Sequence, residues 1–539
     1  MGLRGCFSAL PSPCAVLSRA AARGIGLSKL ISTSNEVDLG LADFIDHLVD
    51  DPATSVIALY IESVRQPGKF RAACLKAARA GKPVVAFKIG RSEAGARAAV
   101  SHTGAMAGSD RMYDAFLRQL GVIRVQHFSD LLDVPAALAT GRHLRGNRVA
   151  ILTSTGGAGT LVSDELGLAG FETPAPDEPT AAALRALQTG SEAVLDRNPI
   201  DVTLAGLRPD LLRGAIKALL ASPTYDALTI IVGSSGLAQP ELMAGALQDC
   251  LPDSDKPVFA YVSPHAPEVA RLLMQRGVPA YFAAESCAAG YDALRWVKEF
   301  RVPQGQDGPS DAPRVQIPGA GSLDEAQAKQ WFAQFGIPGV HECVVTQPEE
   351  ALAAARSMGE RVVLKMLSSQ ITHKSEVGGV AVGVTPEELP QRMRHMADAV
   401  QAATGNRPDR FLVQSMVTGG VELILGLHRD ALGTAVLLGM GGVTAELFQD
   451  TCLRMLPPQG GLSHEEALSM ARELKTWPLL DGYRGRPVAD VPALVEAIVA
   501  FSRMAAHCGE RLVEAEINPL FVLPRGQGVL AADGVVVLA

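Results

Sequence analysis

The chain repeatedly sets a short, continuously apolar segment ahead of a helical stretch, and that alternation restricts the fold more than any other feature. Val56-Ile57-Ala58-Leu59-Tyr60-Ile61 reads as a strand buried on both faces, residues 69–79 as an amphipathic helix, and Val84-Val85-Ala86-Phe87-Lys88 as the next strand. Strands in β-α-β order lie parallel, and a parallel sheet needs helices over its faces. The alternation restarts at Arg148-Val149-Ala150-Ile151-Leu152-Thr153 and runs through strands at 228–232 and 257–262 to about Arg301. Residues 302–321, rich in Pro, Gly and Asp, read as a linker. Beyond them, a helix at 323–329 and strands at 361–365, 379–382, 411–414, 520–523 and 534–538 mix the two element types, which suggests an α+β domain. The expected organisation is an α/β domain over 1–145, a second over 146–301, the linker, and the α+β domain over 322–539. Few aromatics (5%) and many Ala, Gly, Val and Leu suit close strand–helix contacts.

Charge and cysteine usage exclude several classes. A net charge of −8 leaves no electrostatic footprint for nucleic acid. The eight cysteines are scattered, with no CxxC pair or Cys/His cluster, so a structural zinc site is not expected. Buried thiols of a reducing, cytoplasmic compartment are. No apolar run reaches the length of a membrane span. The first 35 residues carry Arg4, Arg19, Arg23 and Lys29 and no acid before Glu36, as a transit peptide would. Residues 17–26, however, read as a helix stopping at a glycine, and a structural role is expected for them.

Several loops are composed for phosphate chemistry. Ser101-His102-Thr103-Gly104-Ala105-Met106-Ala107-Gly108-Ser109 places a histidine among small residues after a strand, so backbone N–H groups can approach whatever the imidazole carries. Strand 148–153 runs into Ser154-Thr155-Gly156-Gly157-Ala158-Gly159-Thr160 and then a helix. Such a helix N-terminus either holds phosphate or is a packing turn. Lys365 closes a strand, and Thr372-His373-Lys374-Ser375-Glu376-Val377-Gly378-Gly379 is a second histidine loop, whose glycines suit a hinge. Leu437-Leu438-Gly439-Met440-Gly441-Gly442-Val443 is glycine-rich, followed by Glu446 and Asp450. Asn518 and Asp533, on neighbouring C-terminal strands, offer hard oxygen ligands suited to Mg²⁺.

Taken together and in this order, these segments resemble the NDP-forming acyl-CoA synthetases, relatives of succinyl-CoA synthetase that include ADP-forming acetate–CoA ligase. The resemblance runs from about Cys14 to the C-terminus. It implies two flavodoxin-like, succinyl-CoA synthetase-type parallel-sheet domains followed by an ATP-grasp domain. It implies that His102 carries the phosphoryl group, that Glu62 orients it, and that Gly156, Gly157 and Gly159 cradle the phosphohistidine. His373 matches the family's second histidine, a relay between the nucleotide and His102. Lys365 and Glu422 match nucleotide-pocket positions, Gln414 to Val417 (with Met416 between) match the hinge beside the adenine, and Asn518 and Asp533 match the Mg²⁺ ligands. The implied reaction interconverts acyl-CoA, NDP and phosphate with carboxylate, CoA and NTP, using ATP/ADP or GTP/GDP.

The family's pattern is not matched everywhere. Its CoA-binding domain precedes these modules, whereas here the resemblance starts inside the first ligase domain. Its S-Q-S-G-A-L turn is replaced by Phe7-Ser8-Ala9-Leu10-Pro11-Ser12. A shifted or truncated reading frame, or a separate CoA-binding subunit, would account for this. The arginine the family often carries two residues past the aspartate is missing from Asp533-Gly534-Val535. The expected function is therefore an acyl-CoA synthetase, homo-oligomeric and with no membrane or nucleic-acid partner. The alternatives are a non-catalytic nucleotide-binding remnant or a fragment of a fused protein acetyltransferase. The acyl substrate is not legible.

Overall fold

The computed structural model describes all residues except 1–4, 9–12, 34–35, 96–108, 188–192, 204–207, 235–238, 304–314, 369–370, 372–373, 443–449 and 459. The chain divides into two units, 1–304 and 305–539.

The first unit holds two parallel five-stranded sheets. One is built from β1 (Gly5–Ser8), β2 (Leu27–Ile31), β3 (Val56–Ile61), β4 (Val84–Lys88) and β5 (Ile123–Val125), in the order β2-β1-β3-β4-β5. The other uses β6 (Val149–Thr153), β7 (Ile200–Asp201), β8 (Ala227–Val232), β9 (Val258–Val262) and β10 (Ala280–Tyr281), in the order β10-β9-β8-β6-β7. Both are flavodoxin-like, with the strand order reversing at β1/β3 and at β6/β8. Strands β6, β8 and β9 are buried along their whole length, as a sheet covered on both faces requires. Helix Ala284–Glu299 packs against helix Asp130–Leu138, so Ile123 and Val125 of the first sheet and Phe259 of the second join one core.

Strands β1 and β2 go beyond the sequence expectation, which began the first sheet at β3. β1 pairs with both β2 and β3, so the segment that departs from the family pattern supplies an interior strand. The Arg-bearing N-terminal stretch forms helix Pro13–Ala22, with Val16 and Ala20 in the core and Gly24 at φ +72° ending the turn.

The second unit contains two antiparallel sheets. The larger runs β11 (Gly321–Leu323), β21 (Val535–Leu538), β19 (Leu512–Val522), β16 (Val421–Asp430), β17 (Gly433–Met440) and β18 (Thr451–Met455), with β20 (Val529–Ala531) on β19. The smaller runs β12 (Glu342–Val345), β15 (Phe411–Ser415), β13 (Val362–Met366) and β14 (Val380–Val384). The helix expected at 323–329 lies at Glu325–Gln334, because Asp324 caps it: its carboxylate accepts from Gln327 N at 2.9 Å, while Asp324 N donates to Gln327 Oε1 at 3.0 Å. Leu323 belongs to β11, and most of the glycine-rich stretch 437–443 is the end of β17. Among the described residues, one segment, Val491–Arg511, is long and apolar enough to cross a membrane, although Glu496 and Arg503 interrupt its apolar run. It buries Leu494, Ile498, Phe501 and Met504 in the core of this unit.

Candidate active site

Glu62 follows β3 at the crossing between β1 and β3, where open α/β sheets bind ligands. It is half-buried. Opposite Ile61 in register, Lys88 ends β4 with only 1% of its surface exposed. Its ammonium donates to the Ile89 carbonyl and lies 4.5 Å over the Tyr113 ring. Among the described residues no carboxylate forms an ion pair with it. Burial pushes its pKa down to about 8, against the pull of Asp110 and Glu62 and with a push from Arg124. Sequence reasoning missed this lysine, although a charged residue closing an apolar strand was the available signal. His102 lies outside the described residues.

Gly156, Gly157 and Gly159 form the first turn of helix Gly156–Leu168, with Thr155 as N-cap. The three are not equivalent. A Cβ on Gly157 would meet nothing within 4 Å, and one on Gly156 only Asp201 Oδ2 at 3.8 Å. A Cβ on Gly159 would lie 3.0 Å from Pro199 Cβ and 3.1 Å from its Cγ. Gly159 therefore has a packing reason to be glycine, whereas Gly156 and Gly157 are exposed and have none.

In the second unit, Lys365 and Gln414 are diagonal neighbours on one face of the smaller sheet, since Lys365 pairs with Leu412. Both point at Glu325, in the first turn of its helix and fully buried. Glu325 Oε1 accepts from Lys365 Nζ at 2.8 Å, Lys329 Nζ at 2.8 Å and Gln414 Nε2 at 2.9 Å, and Oε2 accepts from Lys374 Nζ. Lys365 also reaches Asp533 Oδ2 at 3.0 Å, and Lys374 lies 3.7 Å from Asp533 Oδ1. Lys329 pairs in addition with Glu342, which faces Gln414 across β12 and β15 at 2.8 Å. Burial alone would raise the Glu325 pKa. Lys365, Lys329 and Lys374 overcome it and hold the carboxyl well below the usual range. Burial likewise opposes the Lys365 charge, and Glu325 and Asp533 more than restore it. The Lys365 ammonium thus stays charged beside Asp533, with the Lys374 Nζ at the other carboxylate oxygen.

Strand β19 turns Ala515 and Ile517 into the core and Glu514, Glu516 and Asn518 to the other face. Asn518 Oδ1 accepts from Gly442 N at 3.3 Å, and its Nδ2 donates to Glu516 at 3.4 Å. Glu422 lies against Gly442, where a Cβ would come within 2.3 Å of Glu422 Oε2. With φ at +71°, that position favours glycine on both counts. Met416 and Val417 follow β15, half-buried. His373 lies outside the described residues, as does Glu446. Gly379 closes a tight turn onto Lys374 O at 2.7 Å. Asp450 is a structural acid, accepting from the backbone N–H groups of Lys475 and Thr476 and from the Thr476 hydroxyl.

Comparison with known proteins supplies the family. A model of the succinyl-CoA ligase-like flavodoxin domain matches residues 13–138, and one of the ATP-grasp domain matches 315–538. The chain is 32% identical over 532 residues to a trans-feruloyl-CoA synthase of an unknown prokaryotic organism, covering 96% of this chain and 73% of that protein. It is 30% identical over 532 residues to the ADP-forming acetate–CoA ligase I of Archaeoglobus fulgidus, covering 96% and 75%. The chain belongs to the ADP-forming acyl-CoA ligase family. The beta subunit of the ADP-forming acetate–CoA ligase II of Pyrococcus furiosus is 30% identical over 230 residues, which cover 42% of this chain and 94% of that subunit. Within the family, the same modules therefore also occur as separate chains.

A ligase of this family works with Mg²⁺ and adenine nucleotide, and the donor set fits a hard cation. Burial raises the Glu516 pKa; the Asn518 hydrogen bond lowers it, and the neighbouring Glu514 and Asp533 raise it further. A divalent ion would relieve that repulsion. Among the described residues no trio of His, Cys, Asp or Glu forms a complete cage. A few protein oxygens completed by phosphate and water is the usual Mg²⁺ arrangement.

Proposed function

We propose that this chain is an acyl-CoA synthetase interconverting acyl-CoA, ADP and phosphate with carboxylate, CoA and ATP through a phosphohistidine relay. The observation that carries the reading is the convergence of Lys365 and Lys374 on Asp533 in an ATP-grasp unit, a cationic end for nucleotide phosphates. Phosphate attacks the thioester and releases CoA, giving an acyl phosphate. His102, oriented by Glu62, takes the phosphoryl group and frees the carboxylate. His373 relays the group to ADP. Gly156, Gly157 and Gly159 present the N–H groups of a helix start to the phosphohistidine. Gln414, Met416, Val417 and Glu422 line the nucleotide side. Mg²⁺ held by Asn518 and Asp533 supplies neutralisation of phosphate charge. Catalysis is then mainly positioning plus electrostatics. A separate CoA-binding subunit, homo-oligomerisation and a cytoplasmic location complete the reading. The alternative is a nucleotide-binding remnant that does not turn over.

Phosphorylation by γ-labelled ATP with Mg²⁺ tests this. Acid-labile, base-stable label that is lost in both His102→Ala and His373→Ala supports the relay. Label lost only in His373→Ala means loading without delivery. No label on a wild-type chain that binds nucleotide supports the remnant.

A further inference from the structure

Glu325 has no part in the reaction as written above, yet side chains from its own helix, from β13, from the loop after β13 and from β15 all converge on it. Lys329, Lys365 and Lys374 face Glu325, Glu342 and Asp533, so three positive charges meet three negative ones. The division between partners is uneven. Lys329 has Glu342 as a second anion, and Gln414 has Glu342 at 2.8 Å and the Ala532 carbonyl at 3.2 Å. Lys365 also donates to the Ala532 carbonyl at 2.9 Å, but among the described residues the one anion that it and Lys374 share beyond Glu325 is Asp533. When Asp533 turns to a cation, Glu325 is the one carboxylate among the described residues that still pairs with both.

We propose that Glu325 is a positioning residue whose buried carboxylate fixes the ammonium groups of Lys365 and Lys374 where a nucleotide's phosphate oxygens arrive. The inference rests on the nucleotide reading of this site. Without Glu325, both lysines collapse onto Asp533 and withdraw from the phosphates. The adenine side keeps Gln414 through Glu342. The consequence is a loss that grows with the number of phosphates and spares the nucleoside. A carboxylate that merely held the fold together would lower affinity for nucleoside and nucleotide alike.

The test is equilibrium displacement of a fluorescent ADP by adenosine, ADP and ATP from the full chain, with Glu325→Gln, Glu325→Asp and Lys374→Met compared to wild type. Glu325→Gln is expected to weaken ADP and ATP at least about tenfold, the scale of one charge-assisted hydrogen bond, and adenosine less than about twofold. Glu325→Asp keeps the charge and is expected to recover part of the loss. Lys374→Met, at the edge of the cluster, is expected to weaken ATP while sparing adenosine. It answers the question even where Glu325→Gln does not fold. Variants that lose adenosine and ATP in equal proportion overturn this inference alone. A wild-type chain that binds none of the three overturns the nucleotide reading and the inference with it.

Discussion

Adding one methyl group at Gly157 and at Gly159 separates ligand room from packing in the helix turn after β6. Neither glycine has a positive φ, so alanine is sterically permitted by the backbone at both. Within a helix the exchange stabilises by about 0.5–1 kcal/mol through reduced unfolded-state entropy, less in a first turn. At Gly157 nothing lies within 4 Å of the new Cβ, so this gain stands alone. At Gly159 the Cβ meets Pro199 Cβ at 3.0 Å, Pro199 Cγ at 3.1 Å and Thr153 Cγ2 at 3.4 Å. Overpacking a filled interior costs about 1–3 kcal/mol, which outweighs the gain. Gly159→Ala should therefore be less stable than Gly157→Ala by about 1–3 kcal/mol, a difference from which the shared propensity term cancels. Urea unfolding of the two variants at equal m-value measures it. The same proteins, labelled from ATP, report ligand room: Gly157→Ala should lose phosphohistidine despite its intact stability. Equal stability of the two variants would refute the packing argument, and full labelling of Gly157→Ala would refute the cradle.

Two further outcomes are expected. Burial lowers the Lys88 pKa from 10.5 to about 8, so folding carries the cost of the buried charge below pH 8 and sheds it as pH rises toward 10.5. Lys88→Met should raise Tm below pH 8 and converge with wild type above pH 10.5; a gap independent of pH across that window would contradict burial as its cause. Asp533→Asn keeps shape and removes charge, so ATP affinity should fall at least about tenfold in Mg²⁺ and much less in EDTA, as measured by titration calorimetry. Equal losses in both buffers would place the metal elsewhere.

The alternation of apolar strands and amphipathic helices carried the two parallel sheets in the sequence itself, because strands such as β8, buried on both faces, must be apolar throughout. Lys365 was singled out from the sequence as a lysine near the end of an apolar strand, whereas Gln414 entered only through the family resemblance. Strands β1 and β2 were not legible, since Gly5–Ser8 is four residues long and Leu27–Ile31 contains Ser28 and Lys29, so neither has the uninterrupted apolar signal of β3. Nothing in the local sequence around Glu325 or Lys374 marks either as buried. Only the tertiary structure shows both buried, because their partners are far along the chain: Lys365 lies 40 residues from Glu325, and Asp533 lies 168 from Lys365. Local composition determines which segments become strands and helices. Whether a charge ends in water or facing another charge depends on what the fold brings to it, and that is decided by packing between segments that no local pattern connects.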